Sequence, residues 1–239
     1  MSEHLRPKDI SKKTDRLVHI DPSKFPKLPY PYEDWEDPAI PELSDAKKAE
    51  RDVSLDGVSN LIVPLPKTEQ EKEEMVARFL VGLRKLLSKE NNWTFLKPLM
   101  LSMDNCVKCN TCAEACPIFQ ESGRVAAYRP LFRSEVLRRI VKKHVTPGGK
   151  LMSKFTGNDI DVNWETISRL AQLAYRCTLC RRCAQTCPMG VDNGLLSREI
   201  RKLFSQELGL SPAELHGDGT IKQLETGSST GLSPVALMD

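Results

Sequence analysis

The chain has 239 residues, of which 40% are apolar and only 6% aromatic, and its 16 prolines are concentrated away from its eight cysteines; the length suits one medium domain with extra chain attached and an ordered core smaller than the length suggests. Lys plus Arg outnumber Asp plus Glu by 35 to 32, an excess too small to signal nucleic acid or a membrane surface. No apolar run approaches the roughly 18 to 20 residues of a spanning helix, since Leu61–Leu65 and Leu99–Leu101 are both short, so direct membrane insertion is not expected.

Residues 1–67 read as an extended, irregular arm, because Pro7, Pro22, Pro26, Pro29, Pro31, Pro38, Pro41, Pro64 and Pro66 forbid any long regular element there. Phe25, Leu28, Tyr30, Tyr32 and Trp35 sit on a Pro-spaced backbone that favours extended conformations. Rings of this kind are uncommon in disordered chain, so this part of the arm is expected to act as a strap laid on the core or on a partner. A helix starts at Thr68, which forms a capping box with Glu71 and is followed by Met75, Val76, Phe79, Leu80, Leu83, Leu86 and Leu87 at helical spacing. Glu69, Glu71, Glu73 and Glu74 in its first turns and Arg84, Lys85 and Lys89 in its last suit the helix dipole. A shorter helix is expected from Trp93 to Met103 despite Pro98, delivering the chain to Cys106.

Between Cys116 and Cys177 the apolar stripe Leu131, Val136, Leu137, Ile140 and Val141 predicts a helix that opens at Pro130 and runs to about Lys143. Thr146-Pro147-Gly148-Gly149 breaks it. Asn163 is the N-cap of the next helix, with Ile167, Leu170, Ala171 and Ala174, which feeds Cys177. Asp192 or Asn193 caps another, with Leu196, Ile200, Leu203 and Phe204 inward and Gly209 as its stop. Ser211-Pro212-Ala213-Glu214 is a further capping box. No segment alternates as a strand, and residues 217–239, rich in Gly, Ser and Thr, read as a flexible tail. The expected organisation is therefore an arm over 1–67, a mainly α domain over 68–216 and a tail over 217–239.

All eight cysteines fall into two copies of one pattern, Cys106-x2-Cys109-x2-Cys112-x3-Cys116-Pro117 and Cys177-x2-Cys180-x2-Cys183-x3-Cys187-Pro188. That is the ligand set for two 4Fe-4S clusters. In each copy three thiolates lie close together in a tight loop, and the fourth, fixed beside a turning Pro, is the one that ligates the other cluster in two-cluster ferredoxins. One cluster is thus assigned to Cys106, Cys109, Cys112 and Cys187, the other to Cys177, Cys180, Cys183 and Cys116. Structural zinc uses pairs of C-x2-4-C knuckles and has no need of a third Cys at the same spacing followed by Cys-Pro. A disulfide framework needs an oxidising compartment, yet Met1–Pro31 shows no basic stretch followed by an apolar one. A purely structural cluster does not call for the paired motif.

Helix, cluster loop, helical linker, second cluster loop and helix is the layout of an α-helical ferredoxin. The runs CVKCNTCAEACPI from Cys106 to Ile118 and CTLCRRCAQTCPMG from Cys177 to Gly190 resemble the C subunit of heterodisulfide reductase, over about Trp93 to Leu215. That resemblance implies an electron-transfer subunit of a cytoplasmic complex, passing electrons between an A subunit carrying flavin and iron-sulfur centres and a catalytic B subunit with cysteine-rich domains. The long N-terminal arm departs from the compact form of the subunit and leans toward the bacterial heterodisulfide-reductase-like complexes of sulfur oxidation. Similar modules in succinate, glycerol-3-phosphate and lactate dehydrogenases make a quinone-linked iron-sulfur subunit the alternative.

With eight thiolates committed to iron, none is left as a nucleophile or dithiol pair. The chain has no G-x-G-x-x-G fingerprint and no Walker loop, so no nucleotide or flavin site is expected. Lys108, Arg176, Arg181 and Arg182 lie inside or beside the cysteine loops, where positive charge favours the reduced, more negative cluster, or serves docking of an acidic partner. Val107, Ile118, Leu179 and Met189 are expected to wall water off the sulfurs. His4, His19, His144 and His216 are scattered without ligand spacing.

Overall fold

A computed structural model describes residues 5–14, 17–18, 20, 55–56, 62–212 and 215–228. The strap residues Phe25 to Trp35 and the last part of the tail lie outside the described residues.

Helix α1 (Glu69–Leu86) begins where the capping box placed it. Thr68 Oγ1 accepts the Glu71 amide at 3.1 Å and Glu71 Oε2 accepts the Lys67 and Thr68 amides, satisfying donors that the first turn leaves without intrahelical partners. Phe79, Gly82, Leu83 and Leu86 form the buried face. We expect Thr68→Ala to destabilise the protein by about 1 kcal/mol in chemical denaturation; an unchanged midpoint would show that this cap adds nothing.

Helix α2 (Lys89–Asp104) carries Pro98 inside it and buries Leu99, Ser102 and Met103. Two short helices follow the first cysteine loop, α3 (Thr111–Glu114) and α4 (Pro117–Glu121). The core is then built from α5 (Pro130–His144), α7 (Trp164–Arg176) and α9 (Asn193–Lys202), with α6 (Gly149–Phe155) packed on α5 and α8 (Arg182–Gln185) following the second cysteine loop. Val136 and Ile140 from α5, Ile167 and Leu170 from α7, and Leu196 and Ile200 from α9 are all buried in one apolar cluster. Burial of such side chains, each contributing roughly 1.5 to 3 kcal/mol, is the main force holding the bundle. Asn163 caps α7 through the Thr166 amide at 2.9 Å, and of the two residues proposed for α9 it is Asp192 that caps, accepting the Leu195 amide at 2.9 Å.

Beyond α9 the backbone widens into a π-helical turn, Leu203–Glu207, whose Phe204 ring packs on Phe79 with centroids 5.6 Å apart. Gly209, at φ 68°, ends this run. Two residues just beyond it correct a sequence expectation. Ser211–Pro212 is not a helix start but a short strand, β2, paired antiparallel with β1 (Ile62–Val63), Ile62 opposite Pro212 and Val63 opposite Ser211; the rest of that capping box, residues 213 and 214, lies outside the described residues. A π-helical run, Leu215–Ile221, and a short helix, α10 (Lys222–Thr226), follow.

Parts of the 1–67 segment are tied to α7. Pro7–Ser11 forms a 3-10 turn whose Ile10 is fully buried. The guanidinium of Arg169, itself fully buried, donates to the carbonyls of Ile10 at 2.9 Å, Lys12 at 2.6 Å and Thr14 at 2.5 Å. Asn163 Nδ2 reaches the Ser11 carbonyl at 2.8 Å. The Leu17 and Val18 amides both donate to the Leu55 carbonyl, and the Leu55 amide donates to Gln172 Oε1 at 3.0 Å. Among the described residues no helix is long and apolar enough to cross a membrane.

Candidate metal centre

The two cysteine loops have the same backbone. In each, the residues two and four places after the first cysteine adopt the left-handed conformation: Lys108 (φ 59°) and Asn110 (φ 64°) in the first, Leu179 (φ 57°) and Arg181 (φ 59°) in the second. None is glycine, so each position costs about 1 kcal/mol or more. What this conformation gains is a set of amides turned inward, the kind of concavity that binds phosphate and iron-sulfur groups. The amides of Thr111 and Arg182 donate to the sulfurs of Cys109 and Cys180, and the Lys108 amide donates to Cys106.

The fourth cysteine of each copy sits with the other loop. Cys116 lines one cavity together with Cys177, Cys180 and Cys183, and Ile118, Tyr128, Arg133, Leu173 and Arg176 complete its wall. Cys187 interacts electrostatically with Cys106 and Cys112. The loops also touch through α3 and α8, which brings the buried sulfurs of Cys112 and Cys183 within each other's field. All eight cysteines are free of disulfides.

Burial pushes the Cys112 thiol up to about 11 and also raises Cys106 and Cys183. The outer sulfurs behave oppositely. Hydrogen bonds from Thr111 lower Cys109, and those from the Arg182 amide and from Thr178 lower Cys180. Each loop therefore offers one exposed sulfur, Cys109 or Cys180, whose ionisation its hydrogen bonds favour, and a buried one whose negative charge needs a cation beside it, a need that bound iron meets. Among the described residues no three His, Cys, Asp or Glu side chains converge on a single-ion site, and at the second site four cysteines line one cavity. The donor set, the inward amides and the paired geometry fit 4Fe-4S groups, which when bound supply one-electron oxidation and reduction.

Charged groups around the two sites are organised in ways the cysteine motif does not reveal. At the second, Arg133 is 4% exposed; it donates from Nη2 to Cys177 Sγ at 3.3 Å and from Nε to Ser197 Oγ at 2.6 Å. Arg201 donates to the carbonyls of Ala174 at 2.9 Å, Tyr175 at 3.1 Å and Cys177, closing the end of α7 where its last carbonyls lack helical partners. The buried Asp56 and Tyr128 and the partly buried Arg176 form a set in which Tyr128 donates to Asp56 and Arg176 to Tyr128. Arg176 also pairs with Asp56, and its guanidinium lies 4.8 Å from the Tyr128 ring centroid. Burial first, and the Asp56 charge after it, hold the Tyr128 phenol well above its ordinary range against the opposing pull of Arg176.

At the first site Glu135 is 5% exposed and holds Arg138 at 2.7 Å, Arg139 at 3.1 Å and Lys108 at 3.2 Å. Burial pushes its carboxyl up, but the hydrogen bonds and charge of Arg138, with Arg139 and Lys108, outweigh that and bring it down to about 2.

Of the four cations read from the sequence, three are paired: Lys108 with Glu135, Arg176 with Asp56, and Arg181 with Asp192 at 2.6 Å. The apolar wall is corrected more sharply. Val107 is 61% and Met189 47% exposed, Leu179 is half-buried, and of the four only Ile118 lines the cavity. At the second site Leu173 and Tyr128 from the helical linker complete the apolar wall beside Ile118. Nothing in the sequence marks Arg133 and Glu135, since a charged residue on an amphipathic helix ordinarily faces water, and Asp56 and Tyr128 stand apart from the cysteine motifs in the chain.

Residues 102–191 match the family described as 4Fe-4S dicluster domain. Over 128 residues, or 54% of its length, the chain is 30% identical to the Hdr-like menaquinol oxidoreductase iron-sulfur subunit 2 of Archaeoglobus fulgidus, covering 22% of that protein. It is 33% identical over 105 residues, or 44% of its length, to the Hdr-like menaquinol oxidoreductase iron-sulfur subunit of Archaeoglobus profundus, covering 18% of it. A probable glycolate oxidase iron-sulfur subunit of Bacillus subtilis is 28% identical over 102 residues, 43% of this chain and 19% of that one. The chain thus spans about a fifth of the length of these curated relatives. No solved structure gives a match. Motif, loop geometry and family match agree that residues 102–191 carry 4Fe-4S clusters on an α-helical ferredoxin scaffold.

Proposed function

We propose that this chain is an electron-transfer iron-sulfur subunit of a heterodisulfide-reductase-like oxidoreductase, holding two 4Fe-4S clusters that pass single electrons between a donor and an acceptor subunit. The observation that carries the reading is the interleaving of the two motifs: Cys116 lies in the cavity of Cys177, Cys180 and Cys183, and Cys187 acts on Cys106 and Cys112. We assign Cys106, Cys109, Cys112 and Cys187 to one cluster and Cys177, Cys180, Cys183 and Cys116 to the other. Sites that share loops in this way are neighbours, and the facing sulfurs of Cys112 and Cys183 offer a short path between them.

The donor we assign is an A-type subunit with flavin and iron-sulfur centres, and the acceptor a catalytic B-type subunit with cysteine-rich domains, in a cytoplasmic complex of sulfur oxidation. A quinone-linked complex is the second reading. Two relatives with menaquinol oxidoreductase in their names, and a third named as a glycolate oxidase subunit, favour it. Purifying the tagged chain from its host without oxygen and identifying its co-purifying subunits by mass spectrometry separates the two. Flavin-bearing A-type and cysteine-rich B-type proteins in the cytosolic fraction are the expected result; a membrane cytochrome in their place would move the chain to the quinone-linked complex.

A further inference from the structure

One helix, α5, faces both sites with charges of opposite sign. Arg133 and Glu135 are two residues apart, which at 3.6 residues per turn puts them on opposite sides of the helix. Its first turn also reaches the sites, since the Leu131 amide donates to the sulfur of Cys112.

On one side, the Arg133 guanidinium contacts Cys177 Sγ at 3.3 Å and lines the cavity of the second site. Its other bond is to a neutral hydroxyl, Ser197 Oγ, and no carboxylate lies within ion-pair distance of it among the described residues. A buried cation that donates to a ligand sulfur stabilises the extra negative charge of the reduced state more than the oxidised one, and so raises the potential. On the other side, the buried carboxylate of Glu135 acts on Cys106. Its three cations, Lys108, Arg138 and Arg139, are spent on that carboxylate, and Lys108 is half in water, where its charge is screened. The second site also feels a carboxylate, since Asp192 acts on Cys183, but Asp192 is paired with Arg181, whereas Arg133 bonds a ligand sulfur directly; at the first site the buried charge that acts on a ligand sulfur is the anion Glu135.

We infer that Arg133 is a positioning residue that sets the Cys177-Cys180-Cys183-Cys116 site at the higher reduction potential. An electron entering the chain then comes to rest at that site, and the Cys106-Cys109-Cys112-Cys187 site is the low-potential end. This inference rests on the two-cluster reading above and adds a polarity to it.

The test is a redox titration of the anaerobically purified holoprotein followed by electron paramagnetic resonance, in the wild type and in Arg133→Met, Arg133→Lys, Glu135→Gln and Cys180→Ser. Cys180→Ser identifies which signal belongs to the second site. The wild type should reduce in two steps, the upper one at that site. Arg133→Met should lower the reduction equilibrium constant of that step tenfold or more, equivalent to about 59 mV for a one-electron couple, and leave the other step in place; Arg133→Lys, which keeps the charge and loses the fork, should fall between. If Arg133→Met fails to load iron, Glu135→Gln decides, because it should raise the lower step alone. An upper step that belongs to the first site, or Arg133 and Glu135 variants that move neither step or both equally, would overturn the polarity while leaving the two clusters in place. A wild-type protein with no two reducible clusters would instead overturn the reading beneath it.

Discussion

Replacing Cys187 with Ser is expected to remove the cluster built mainly by the first motif, more than seventy residues away in sequence, and to leave the second motif's cluster in place. Behind this expectation stands the proposed exchange of fourth ligands. Cys187 acts on Cys106 and Cys112, whereas Cys116 lines the cavity of Cys177, Cys180 and Cys183. A serine oxygen is a harder and more basic ligand than a thiolate and holds iron-sulfur groups poorly. The iron content should fall from about eight toward about four per chain, and the signal lost should be the one that a Cys109→Ser change perturbs. Cys116→Ser should do the reciprocal damage to the second site. If Cys187→Ser abolished the signal perturbed by Cys180→Ser instead, each motif would be ligating its own cluster.

A second large effect is expected far from the cysteines. Arg169 is fully buried in the middle of α7, and its guanidinium serves three carbonyls of the N-terminal segment, those of Ile10, Lys12 and Thr14. Hydrogen bonds to a charged group contribute roughly 1.5 to 3 kcal/mol each, but they are not additive, and the segment is able to detach and rehydrate. Arg169→Met should therefore cost about 3 kcal/mol in chemical denaturation. It should also speed tryptic cleavage after Lys12 and Lys13 by tenfold or more, because the fully buried Ile10 would lose its latch. Cluster content should be unchanged, since Arg169 touches no cysteine among the described residues. Cleavage at the wild-type rate would mean that apolar packing alone holds the segment.

These two residues also mark what was and was not legible in the chain. Caps are local chemistry, so Thr68, Asn163 and Asp192 marked the starts of α1, α7 and α9 correctly. The cysteine spacing likewise located both loops. What escaped is set by tertiary surroundings. Helix α6 follows directly on the Pro147-Gly148 break and carries no inward apolar stripe, because Leu151, Met152 and Phe155 are 68%, 55% and 81% exposed. Ser211 and Pro212 look like a helix start, yet a partner strand at residues 62–63 claims them. Arg133, Glu135 and Arg169 are charged positions on amphipathic helices, where solvent is the ordinary environment; only the fold shows that a sulfur, a ring of cations and a backbone loop enclose them. Conversely, Val107 and Met189 are apolar and beside cysteines, yet their side chains face water. Of the four apolar residues beside cysteines only Ile118 lines the cavity of the second site, and the rest of its apolar wall, Leu173 and Tyr128, comes from the helical linker.

The central claim, two adjacent 4Fe-4S centres on one chain, is tested most directly by purifying the protein without oxygen, measuring iron and acid-labile sulfide, and following stepwise reduction by electron paramagnetic resonance. The account predicts about eight iron and eight sulfide per chain, as two four-iron groups require, with two signals that broaden and split each other once both are reduced. Zinc in place of iron, or a single cluster that neither accepts nor gives up electrons, would contradict it.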